Sequence, residues 1–163
     1  MYNQLLNSIP SKLLDIFHDF TKQNVLHFIW KNITDINGFL EGESDLDLFI
    51  KESDFERAKI ILINNGAIFA DNWFNKTSNI YHCYLYIGNK IYHLHIYTRF
   101  ITGESQIKSY DIPLLDFIDV NSLRKIDNVL SVLPIGIMLH VHLIREYIKF
   151  SSPFSLLVRF RDS

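Results

Sequence analysis

Apolar positions change their period several times along the chain, and each change marks a predicted element. Between residues 10 and 24, Leu13, Phe17 and Phe20 recur at helical spacing, and Leu14 and Ile16 widen the face. Pro10 stands where a first-turn proline is tolerated. Val25 to Trp30 is a short run of branched and aromatic residues, which predicts a strand. Residues 33–40 allow one or two helical turns that end near Gly38 or Gly42. Leu46 to Ile50 is the clearest strand. After it, Ser53 and Glu56 have the spacing of a capping box, and Phe55, Ala58 and Leu62 give the next helix an apolar face. Asn64-Asn65-Gly66 supplies its stop.

Ile80–Ile87 and Lys90–Phe100 read as two strands around a Gly88-Asn89 hairpin turn, and residues 67–74 as a further short strand. Residues 113–126 suggest short helices and loops. The most apolar stretch, Val129 to Ile144, is interrupted by Pro134, His140 and His142. It falls short of the ~20 apolar residues of a membrane span, so it reads as a buried helix. A long helix is expected over Ile135–Phe150 and a short one from Pro153. This order predicts an α+β fold with a small mixed sheet. Residues 1–112 would form its core, and residues 113–163 a C-terminal helical extension of the same domain.

Composition narrows the function classes. Of 163 residues, 48% are hydrophobic, enough for a packed core rather than a disordered chain. A net charge of -2 gives no field for non-specific nucleic-acid binding. Cys83 is the single cysteine, which rules out an internal disulfide and a cysteine-rich zinc site and fits a reducing cytoplasm. Met1 to Asp15 lacks the pattern of a signal peptide. No phosphate-binding loop, dinucleotide fingerprint or nucleophile elbow occurs.

The candidate chemistry begins at Gly42-Glu43-Ser44-Asp45-Leu46-Asp47-Leu48. Side chains alternate along a strand, so Asp45 and Asp47 share one side, roughly 7 Å apart along the backbone, with Leu46 and Leu48 on the other. Two carboxylates so placed suit hard divalent cations such as Mg²⁺, or form the solvated face of an edge strand. On the later strand, His93 and His95 share a face that Tyr97 continues. They suit proton transfer, a cation such as Mn²⁺ or Zn²⁺, or hydrogen bonding within a half-buried sheet. His82 is a possible neighbour of His93 across the hairpin. His140 and His142, two apart on a helix, point away from one another and cannot chelate together. Cys83 reads as a buried apolar residue.

The stretch Gly42–Ile50, followed by a helix stopped at Asn65-Gly66, resembles the nucleotidyltransferase superfamily with the polymerase-beta-like fold. With His93-Leu94-His95 and Thr102-Gly103-Glu104, it is similar to a divergent subgroup associated with bacterial capsule and lipopolysaccharide gene products. In that superfamily, a first strand ends in a Gly-Ser turn, a short helix follows, and a Ser-Asp-x-Asp strand comes next. Here Trp30-Lys31-Asn32 stands in place of the Gly-Ser pair, thirteen positions before Asp45.

The resemblance implies metal binding by Asp45, Asp47 and a third ligand, usually an acid, whose place His93 or His95 takes. Asp45, Asp47, His93 and His95 are the catalytic candidates, and His95 joins the two aspartates as the metal candidate. Glu104 is a possible loop-borne carboxylate. Lys31, Asn32, Gly42 and Ser44 would border the cofactor, with Lys31 meeting phosphate oxygens. The implied activity uses Mg²⁺ or Mn²⁺ to transfer a nucleotidyl group from a nucleoside triphosphate to an unknown hydroxyl or phosphate acceptor, in surface-polysaccharide synthesis. The altered third ligand and missing Gly-Ser pair leave two alternatives. One is an inactive nucleotide- or sugar-phosphate-binding module, the other a His/Asp metal hydrolase.

Overall fold

The computed structural model describes residues 9–31, 36–70, 79–102, 110–126 and 129–151. The fold is α+β, with a seven-stranded mixed sheet, a two-stranded ribbon and a C-terminal helix. Helix α1 (Ser11–Lys22) starts the described chain and buries Leu13, Ile16, Phe17 and Phe20, the face read from helical spacing. Strand β1 (His27–Ile29) follows, then the short helix α2 (Ile36–Glu41) and strand β2 (Asp45–Ile50). Gly42 ends α2 with φ +79°, and its N–H donates to the Phe39 carbonyl. Helix α3 (Phe55–Asn64) ends at Asn65 and the left-handed Gly66.

The predicted capping box does not form. Residues 52–54 make a 3₁₀ turn, and Asp54 takes the N-cap position without capping α3. Its carboxylate is drawn elsewhere, accepting from Leu26 N–H at 3.0 Å and from Arg57 at 3.2 Å. That hydrogen bond ties the start of α3 to the entry of β1.

Strand β3 (Ile68–Ala70) leads to the hairpin of β4 (Ile80–Ile87) and β5 (Lys90–Tyr97). Ile87 pairs with Lys90 across the Gly88-Asn89 turn, where Gly88 has φ +65°. Strands β6 (Ile101–Thr102) and β7 (Tyr110–Asp111) form the ribbon. Strands β8 (Arg124–Ile126) and β9 (Leu130–Val132) then precede α4 (Ile135–Ser151). The sheet order is β3-β4-β5-β2-β1-β9-β8. Strand β2 is antiparallel to β1 and parallel to β5, so the edge-strand reading of the acidic segment does not hold.

The region after residue 112 is not solely helical. β9 pairs in parallel with β1, so the main sheet extends beyond the expected core. Pro134 separates β9 from α4, so the apolar stretch Val129–Ile144 holds a strand and the first part of a helix rather than one buried helix. Nor is α4 buried all round. Met138 and Val141 face the core, while Ile135, Leu139, Leu143 and Tyr147 are exposed. Among the described residues, no helix is long and apolar enough to cross a membrane. The short helix expected from Pro153 lies outside the described residues, as does the end of the strand expected over 67–74.

The two sheet faces have different covers. One carries Leu46, Leu48, Leu94, Ile96 and Cys83, all buried. Helices lie on it: Phe17 and Phe20 of α1 meet the His27 ring, Phe39 of α2 meets Tyr92, and Phe55 of α3 stacks on Tyr81 at 4.0 Å. The other face carries Asp45, Asp47 and Phe49 beside His93, His95 and Tyr97. Its lower part is sealed by rings, with Phe100 stacked on Phe49 at 4.2 Å and edge-on to Trp30 at 5.5 Å. The seal stops short of Asp45.

Gly42 fixes the entry to the acidic strand. A Cβ there would meet the Ile91 carbonyl at 3.3 Å, in a backbone conformation that L side chains rarely adopt. Gly42→Ala should therefore lower stability by about 1–3 kcal/mol in urea unfolding. An unchanged midpoint would show that the turn has room to relax.

Candidate functional site

Parallel pairing of β2 with β5 sets Asp45 opposite His93 and Asp47 opposite His95. Adjacent strands lie about 4.8 Å apart, so same-face side chains meet. Asp45, Asp47 and His95 each offer one ligand atom, and these atoms lie within 4.8 Å of one another. His95 Nδ1 is 3.1 Å from Asp45 Oδ2 and 3.3 Å from Asp47 Oδ1. Ionised carboxylates only accept hydrogen bonds, so Nδ1 carries the proton here.

Asp47 is the buried member, only 1% exposed, whereas the Asp45 side chain is 36% exposed. A buried carboxylate needs a partner. Lys31 supplies a cation, its Nζ 2.9 Å from Asp47 Oδ1 and its residue 5% exposed. Nζ also donates to the Tyr97 hydroxyl at 2.7 Å and lies over the Tyr97 and Trp30 rings, 4.3 and 5.0 Å from their centres. The Tyr97 hydroxyl is in turn 3.1 Å from His95 Nδ1. Lys31, Asp47, Tyr97, His95 and Asp45 thus form one continuous polar network from the core to the open face.

The network sets the ionisation of its members. The His95 hydrogen bond holds the Asp45 carboxyl at about 2, against the opposing effect of burial. Burial alone would lower the His95 pKa, but its bonds to Asp45 and Asp47 outweigh that and raise it. Burial, reinforced by both carboxylates, raises the Tyr97 hydroxyl.

His93 takes a different place. Its Nε2 is 3.0 Å from His82 Nδ1, and its ring stacks on Tyr84 at 4.5 Å. Burial lowers its pKa despite the nearby Asp45. It stands outside the convergent trio but lines an open cleft of about 460 Å³ with Gly42, Glu43, Ser44, Asp45 and Ile91. Two of the four expected cofactor-binding residues, Gly42 and Ser44, thus border that cleft. Lys31 is turned inward to Asp47 instead. Asn32 and Glu104 lie outside the described residues. Cys83 is fully buried, its thiol pushed by burial up to about 12, which fits an inert apolar residue.

Two carboxylates and an imidazole fit a divalent cation, and three protein ligands would leave positions open for substrate or water. The nitrogen donor favours Mn²⁺ or Zn²⁺ over Mg²⁺. Binding would require His95 Nδ1 to give up its proton. The role of Tyr97 was not read from the sequence, although its place two residues beyond His95 on the same face is the signal that could have found it.

Breaking the buried pair should be costly, because Lys31 would lose its counter-charge. Asp47→Ala should destabilise by about 3–5 kcal/mol in urea unfolding. The Asp45–His95 pairing also has a defined pH window. The raised His95 value makes its contribution complete below the ordinary 6.5 and lost as pH rises through the folded-state value. The lowered Asp45 value makes its contribution present above the ordinary 3.8 and lost as pH falls through about 2. Metal-free melting temperature should therefore fall as pH rises from the ordinary 6.5 through the raised folded-state value of His95, and Asp45→Asn should flatten that limb.

Comparisons with family models, with curated proteins and with solved structures found no match to this chain.

Proposed function

We propose that this protein is a divalent-cation-dependent nucleotidyltransferase-like protein that binds a nucleoside triphosphate at the cleft beside Asp45. The observation that carries this reading is the parallel register that brings His95 of β5 against Asp45 and Asp47 of β2. The order of strand, short helix, acidic strand and later ligand-bearing strand is the order that the sequence resemblance implies. The cleft is of a size that suits a small-molecule ligand.

Asp45, Asp47 and His95 would hold the cation, which when bound would neutralise phosphate charge and lower the pKa of an attacking hydroxyl. Asp45 is the exposed carboxylate and faces the cleft with Ser44. The His93 ring, held by His82 and Tyr84, forms part of its wall. Its lowered pKa keeps it neutral near pH 7, so it has the capacity to accept a proton. Most of the rate enhancement would come from positioning and charge, as in phosphoryl transfer generally. The acceptor would be a hydroxyl or phosphate group, as on a surface glycan or its precursor.

A second reading is a module of the same fold that binds a nucleotide or sugar phosphate without turnover. The inward Lys31–Asp47 pair favours it, because that pair neutralises a carboxylate otherwise available to cations. Calorimetric titration with the four common nucleoside triphosphates and Mn²⁺ tests both readings. Cation-dependent binding weakened about 10–100-fold by Asp45→Ala is expected. Pyrophosphate release with an acceptor would support transfer, and binding without release the second reading. No binding of any triphosphate would overturn both.

A further inference from the structure

Superfamily-type chemistry is commonly pictured with two cations sharing a carboxylate pair, about 3.5–4 Å apart. The interior of this site already contains a cation of its own. Lys31 Nζ lies 2.9 Å from Asp47 Oδ1 and is clamped by the Tyr97 hydroxyl at 2.7 Å. It is also packed against the Trp30 and Tyr97 rings, and the residue is only 5% exposed. A surface lysine could swing into water to admit a metal ion, but this one is held by packing and hydrogen bonding.

We infer that this site binds one divalent cation rather than two, with the Lys31 ammonium as a built-in second positive charge. The inference rests on the nucleotidyltransferase-like reading. The single ion would be held on the open side by Asp45 and His95 and would share Asp47 Oδ1 with Lys31 Nζ, because His95 Nδ1 and Lys31 Nζ both approach that same oxygen, at 3.3 and 2.9 Å. With Lys31 Nζ already on Asp47 Oδ1, a second ion on Asp47 would add a further positive charge within a few Å of a buried ammonium, and like charges at that range in a low-dielectric interior repel strongly. Charge balance points the same way. One divalent ion and Lys31 together carry three positive charges, set against two carboxylates and the phosphates of an incoming nucleotide. Lys31 touches no substrate in this scheme. It is a positioning residue that acts through Asp47.

The inference predicts a stoichiometry and a spectrum. The full chain, titrated with Mn²⁺ alone and with Mn²⁺ plus ATP, should hold one Mn²⁺ in total in both cases. Its electron paramagnetic resonance spectrum should lack the spin coupling of a manganese pair. Lys31→Met keeps the apolar stem but removes the charge, and it should bind Mn²⁺ at least tenfold more tightly or admit a second, coupled ion. Lys31→Arg keeps the charge and should retain the single uncoupled ion, which tests the inference even if the Met variant does not fold. Two coupled ions in the unaltered protein would overturn the inference and leave the proposed function standing. So would an unchanged affinity and stoichiometry in a folded Lys31→Met. Absence of any Mn²⁺ binding would overturn the metal-dependent reading and this inference with it.

Discussion

The site depends on one piece of backbone geometry, the parallel pairing of β2 with β5. That pairing places two aspartates and two histidines in adjacent rows on one face of the sheet. It also buries Asp47 in the middle of the sheet, flanked by β1 on the other side. A carboxylate there is tolerated only if a cation and hydrogen-bond donors reach it, and Lys31 at the end of β1 meets that need. The register, the buried charge and the inward lysine are therefore one solution rather than three separate features.

The sheet divides labour between its faces. Helices α1, α2 and α3 cover the Leu46, Leu48 and Leu94 face and supply much of the burial. The opposite face is apolar where Phe28, Phe49, Phe100 and Trp30 meet, and polar where Asp45, His93 and His82 begin. Tyr97 sits at the boundary, its ring against Trp30 and its hydroxyl in the polar network. The dry side excludes water from Lys31 and Asp47, and this strengthens their attraction. The open side leaves Asp45 within reach of a ligand.

Much of this was legible from local pattern. Asp45-Leu46-Asp47-Leu48 alternates as a strand must, and Gly42, Gly66 and Gly88 each fall where the backbone takes a positive φ. The α1 face followed from the spacing of Leu13, Phe17 and Phe20. What escaped depends on distant partners. Ser53 and Glu56 have the right spacing for a cap, but Asp54 bonds to Leu26 from 28 residues away. β8 and β9 have three residues each, too few to show a period, and exist because β9 finds β1. Lys31 read as a phosphate contact because nothing near it in sequence reveals Tyr97, 66 residues on. The choice between His93 and His95 needed the strand register. Once β2 and β5 align, His95 joins the aspartates and His93 pairs with His82.

The turn at Gly42 bears on how this cleft can change shape. Its backbone lies so close to β5 that even a methyl group would press on the Ile91 carbonyl. Glu43 and Ser44 N–H groups both donate to the Gly38 carbonyl, which fastens the turn to α2 as well. The wall carrying Asp45 is thus braced from two directions and behaves as a bracket, not a hinge. The side of the cleft not braced in this way is the His93 ring, which rests against His82 and Tyr84, so selectivity for a ligand would be tuned along β4 and β5 rather than on the acidic strand.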